Sequence, residues 1–136
     1  MKLESEVQNQ QRLEIAKLNG KAYRNNSGAY DERYPPSPGT RWGIGNDSTK
    51  INKVRKSSDL ICVLPVKITP AMVGHTIGVF LAVEVKREGW NYTGTPEERA
   101  QQNFLDIINS TGGIGFFSQS VLDFKNAIHA FYARFK

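Results

Sequence analysis

A mixed α/β domain, with a mixed central β-sheet flanked by helices, is the fold class this sequence predicts. Three features carry that expectation: a helix-period stretch at the start, apolar strand-length runs in the middle, and two well-capped helices toward the end. The length of 136 residues fits one domain spanning 1–136.

From about Leu3 to Leu18 the apolar residues recur at helical spacing, and Asn19-Gly20 is a natural stop. At about 100° per residue, Glu4 falls on the stripe that holds Val7, Ile15 and Leu18, while Glu6 faces away. A carboxylate on a core-facing stripe is costly unless a partner satisfies it. Near a helix N-terminus, Glu4 can also simply complement the dipole. Lys21 to Asn26 reads as a short strand. From Ser27 to Ser57 the chain is rich in Gly, Pro, Asn and Ser and reads as one long loop, including Pro35-Pro36-Ser37-Pro38-Gly39. Six basic residues (Arg33, Arg41, Lys50, Lys53, Arg55, Lys56) stand there against Asp31, Glu32 and Asp47, a local balance of +3. Tyr30, Tyr34 and Trp42 are interleaved with them. Cations neutralise phosphates and aromatic faces stack on bases, so the mixture suits nucleic acid as well as it suits a solvated loop.

Two strand-like runs follow, Asp59 to Ile68 and His75 to Lys86, joined by a segment holding Pro70 and Gly74, as a hairpin connection should. Thr95-Pro96-Glu97-Glu98 then opens a helix with a capping box and runs to about Thr111, where Gly112-Gly113 ends it. Ile114 to Ser118 is a further strand. Ser120, with Asp123 three residues on, caps a last helix bearing Leu122, Phe124, Ile128, Phe131 and Tyr132.

Composition narrows the function classes. A hydrophobic share of 39% with 23% charged residues is that of an ordinary globular chain, and no apolar run reaches the length of a membrane helix. The first residues have no signal-peptide pattern, and the single cysteine, Cys62, cannot form an internal disulfide. Both fit an intracellular setting. Two histidines and one cysteine, far apart, give no zinc spacing. The net charge of +5 leans toward a polyanionic partner.

The candidate chemistry lies at the end of the second run. Strand alternation places Glu84 and Lys86 on one face with Phe80 and Ala82. If the two runs pair as a hairpin, Asp59 sits near the Glu84 end, and two carboxylates converge beside one lysine. Such hard oxygen ligands suit Mg²⁺ or Mn²⁺. A metal of that kind activates water for phosphodiester hydrolysis, and Lys86 orients the nucleophile or steadies the developing charge. An acid two before a lysine is common; Asp123-Phe124-Lys125 is a second instance, and helix capping accounts for it. Gln101 shares a helix face with Phe104, Leu105 and Ile108, so it is either an ordinary half-buried glutamine or one whose amide finds its partners in the site.

Taken in order, the motifs resemble the virus-type replication-repair nuclease (VRR-NUC) family of the PD-(D/E)xK superfamily. They are Glu4-x-x-Val7-Gln8, Arg24-Asn25-Asn26-Ser27-Gly28, Ser58-Asp59-Leu60-Ile61, Val83-Glu84-Val85-Lys86, Gln101-x-x-Phe104-Leu105, Gly112-Gly113 and Ser120-x-x-Asp123. The resemblance implies a restriction-endonuclease-like core and a Mg²⁺- or Mn²⁺-dependent endonuclease acting on branched or structured DNA. It also implies a homodimer similar to phage or bacterial Holliday junction resolvases, working in the cytoplasm of a bacterium or of a phage-infected host. Glu4, Asp59, Glu84, Lys86 and Gln101 then form the active-site set, with Glu4, Asp59 and Glu84 as metal ligands. Arg24, Asn26, Arg41, Lys53, Arg55 and Lys56 are the expected DNA contacts. Two departures from the family pattern are Lys56, where a glycine is usual, and a longer connection from Asp59 to Glu84. The competing reading is a basic DNA- or RNA-binding module without catalysis.

Overall fold

The computed structural model describes residues 1–29 and 40–135 as two compact units, Met1–Cys62 and Val63–Lys136. Tyr30, Arg33 and Tyr34, part of the mixture that suits nucleic acid, and the proline-rich run at 35–39 of the expected long loop lie outside the described residues. The chain is mixed α/β, and its described strands form two-stranded ladders in place of the expected single central sheet.

In the first unit, helix α1 spans Glu4–Lys17 and packs on strand β1, Lys21–Arg24. Glu6 accepts a hydrogen bond from the amide of Leu3, which occupies one of the orphan donors of the helix start. Asn19, at φ +62°, turns the chain after α1, as its sequence predicts. The expected long loop contains more order than composition suggests. Gly28–Ala29 (β2) pairs antiparallel with Arg41–Trp42 (β3), and Thr49–Val54 forms a short helix, α2. The Ser48 hydroxyl caps α2 by accepting from the amide of Ile51 at 3.1 Å. A six-residue helix is too short to reveal itself by periodicity. Strand β4, Leu60–Val63, pairs with β1.

The second unit is built on a parallel pair. Strand β5 (Leu81–Val85) and strand β6 (Ile114–Ser118) run side by side, Leu81 opposite Ile114 and Val85 opposite Ser118. Helix α3, Pro96–Ser110, is the crossover that a parallel pair requires and packs on both strands. Helix α4, Val121–Ala133, covers β6. Leu105 and Ile108 of α3 are buried with Ala82 and Ile114 of the strands. The approach is close: a Cβ on Gly115 would stand 2.6 Å from the carbonyl oxygen of Leu105. Asn109 closes the end of α3 by donating to the carbonyl of Gly115 and accepting from its amide.

The hairpin of Asp59–Ile68 with His75–Lys86 is corrected by these ladders: β4 takes β1 as its partner and β5 takes β6. The reason is local. Pro65 and Pro70 remove ladder donors, residues Pro70–Met72 close into a 3-10 turn, and Gly74 adopts φ +86°. The segment between the strands therefore cannot sustain a regular antiparallel register. No helix among the described residues is long and apolar enough to cross a membrane.

Candidate active site

Three of the sequence-derived residues meet in the second unit. Glu84 lies on β5 opposite Phe117, and Lys86 follows the strand, its amide donating to the carbonyl of Ser118 at 2.8 Å. That bond extends the strand geometry by one residue, so Glu84 and Lys86 share a face, as alternation predicts. Gln101 is set by the start of α3. Thr95 caps the helix, Pro96 fills its first turn, and the Glu98 carboxylate accepts from the amides of Thr95 and Thr93 and the Thr93 hydroxyl. The Thr95 amide is the largest cause holding the Glu98 carboxyl down at about 2; desolvation opposes it, and the bonds from Thr93 reinforce it.

The Gln101 amide bridges the pair. Its Nε2 donates to Glu84 Oε1 at 2.9 Å and its Oε1 accepts from Lys86 Nζ at 2.9 Å. Lys86 Nζ stands 3.7 Å from Glu84 Oε1, with side-chain exposures of 17% for Lys86 and 35% for Glu84. A carboxylate only accepts and an ammonium only donates, so one amide orientation satisfies both. These neighbours engage Glu84 Oε1. Neighbouring Gln102 turns instead to Asp106, in keeping with its place off the core stripe. Asp123 accepts from the amide of Gln119 at 2.9 Å and donates its own amide to the Ser120 hydroxyl that caps α4, a place in a capped helix turn that its sequence context predicts.

The other two acids belong to the first unit, where Glu4 and Asp59 line one open pocket of about 270 Å³ with Val7, Gln8, Gln11, Ser58 and Leu60. Glu4 is exposed, so the burial cost that its helix face suggested does not arise; it lines the same pocket as Asp59, and Glu6 does not. Asp59 is held through its backbone. Its carbonyl accepts from the amide of Asn25 at 2.9 Å, while the Asn25 side chain donates to Ser57 Oγ and to the carbonyl of Ser58. Sequence reasoning used Asn25 only as part of a motif and missed this clasp. An amide side chain directly after a strand was its one visible signal. Within neither unit do three or more His, Cys, Asp or Glu side chains gather among the described residues.

Of the expected DNA contacts, Arg24, Asn26, Lys53, Arg55 and Lys56 are exposed. Arg41 is half-buried and committed to the fold: its guanidinium donates to the carbonyl and side-chain oxygen of Asn46 and to Thr49 Oγ1. Trp42 lies over Gly28, where a Cβ would overlap the indole ring. Cys62 is exposed despite its apolar neighbours. Compared with protein-family models, curated proteins and solved structures, the chain matches none.

Proposed function

We propose that the protein is a Mg²⁺- or Mn²⁺-dependent endonuclease that hydrolyses phosphodiester bonds in branched or structured DNA. The observation that carries this reading is the Glu84–Gln101–Lys86 network, a carboxylate and an ammonium 3.7 Å apart that are bridged by one amide. In this reading the core is restriction-endonuclease-like, the chain works as a homodimer, and the carboxylate of Glu84 is a ligand that would hold the metal. When bound, the metal lowers the pKa of its water and offsets charge growing on the phosphate. Gln101 ties the Glu84 carboxylate and the Lys86 ammonium into one fixed arrangement. One Lys86 N–H is given to Gln101, and the ammonium would use its remaining donors on the nucleophilic water or a non-bridging phosphate oxygen. The exposed Arg24, Lys53, Arg55 and Lys56 neutralise backbone phosphates, with Asn26 beside them.

The test is cleavage of linear, flapped and four-way DNA side by side in Mg²⁺ or Mn²⁺. Glu84→Ala is expected to lower cutting by at least about a thousand-fold while sparing DNA binding, as loss of a group acting mainly in the transition state does. Undiminished cleavage by that variant, or by wild type in excess chelator, overturns the reading. DNA binding without cleavage under every metal condition assigns the protein instead to a non-catalytic basic module.

A further inference from the structure

The Lys86 ammonium has neighbours that the proposed chemistry does not call for. Its Nζ stands 5.3 Å from the ring centroid of Trp90 and 5.7 Å from that of Phe117. The two rings pack on each other with centroids 4.9 Å apart. Neither ring is placed by the lysine. Trp90 closes a turn in which its amide donates to the carbonyl of Arg87 and Gly89 takes φ +80°, the value a type II turn requires at its third position. The carbonyl of Trp90 is tied to the Gln119 side chain at 2.7 Å, and Gln119 is tied in turn to Asp123 of α4. Phe117 is set by β6, opposite Glu84. The aromatic pair is thus anchored from two directions independent of Lys86.

We infer that Trp90 and Phe117 are positioning residues: they form a cradle that holds the Lys86 ammonium in place without consuming its hydrogen-bond donors. A second carboxylate in their place would also hold the lysine, but it would occupy an N–H and neutralise the charge that a phosphate needs. Aromatic faces attract the cation through their quadrupole and leave its donors free. With Gln101 taking one donor, the cradle explains how a lysine that is mostly covered keeps donors available. The functional half of this inference rests on the nuclease reading; the geometric half does not.

The experiment reads both halves separately. In the NMR spectrum of the metal-free, DNA-free full chain, ring currents are expected to place the Lys86 ε-methylene signals upfield of those of the other lysines. Their disappearance in Lys86→Arg assigns them. Signals that coincide with the other lysines in the wild type overturn the cradle, whatever the protein's activity. In cleavage, Trp90→Leu is expected to lower kcat about ten-fold with KM little changed, and Trp90→Phe to recover most of it. Phe117→Leu should repeat the kcat loss if Trp90→Leu fails to fold. A folded Trp90→Leu protein that cleaves at the wild-type rate overturns the positioning role. Shifted signals in a protein that cuts no DNA overturn the nuclease reading and leave the cradle standing.

Discussion

In the Val63–Lys136 unit Ile108 is wholly buried and Leu105 is 2% exposed, both packed under β5 and β6, whereas α1 in the Met1–Cys62 unit buries none of its residues. The buried side chain in that first unit, among the described residues, is a polar one: Asn46, 5% exposed. Asn46 donates to the carbonyls of Gly28 and Trp42 at 2.8 Å and accepts from Arg41, so it stitches β2, β3 and the following turn together. One unit is organised by apolar packing around a parallel pair, the other by amide side chains satisfying backbone groups. The difference bears on the candidate site. Glu84, Lys86 and Gln101 stand on elements locked by packing and are linked by hydrogen bonds. Glu4 and Asp59 stand exposed at the rim of an open pocket, with Asp59 held through the Asn25 clasp.

Three measurements break or sharpen this contrast. The largest effect on stability is expected from Ile108→Ala, which leaves a cavity under the parallel pair and lowers unfolding free energy by about 2–5 kcal/mol. The matching Leu13→Ala change in α1, where the side chain is exposed, should stay within about 0.5 kcal/mol. Denaturant midpoints of the two variants that do not differ would erase the distinction between the units. Next, Asn46→Ala removes the donor to the carbonyls of Gly28 and Trp42 and the acceptor of one Arg41 N–H, and is expected to cost about 1–3 kcal/mol, more than a typical surface change. Amide exchange should quicken around Gly28 and Trp42 and not along α3. The smallest effect concerns acid. The Glu98 carboxyl is lowered from 4.5 to about 2 by the amide of Thr95 and its neighbours. A carboxyl depressed in the folded state stabilises it fully above about pH 4.5, and that contribution fades as pH falls toward 2. Wild type should therefore lose stability across that window, and Glu98→Gln should show a flatter acid limb in thermal unfolding. Parallel curves for the two proteins would remove the capping carboxylate from the account.

Much of the second unit is legible in the residues themselves. Thr95, Pro96 and Glu98 announce the start of α3, and Ser120 and Asp123 announce α4. Ile114 to Ser118 reads as a strand and is one. The shared face of Glu84 and Lys86 follows from period-two alternation, and Gln101 follows from its offsets to Leu105 and Ile108. These signals lie within a few residues of one another, so the local chain carries them complete. In the first unit, β2, β3 and α2 are too short for any period to show, and composition alone reads as loop.

By itself, then, the sequence determined α3, α4, β6 and the face on which Glu84, Lys86 and Gln101 stand, because caps and periodicity are local. Only the tertiary structure decided that β5 pairs with β6 and β4 with β1, since a strand's partner is chosen by long-range packing and not by its own residues. It also decided that Gln101 bridges Glu84 to Lys86 and that two rings, 27 residues apart in the chain numbering of Trp90 and Phe117, flank that lysine. A hydrogen bond or a ring contact of that kind exists only once α3 and β6 are folded onto β5, which no short window of sequence contains.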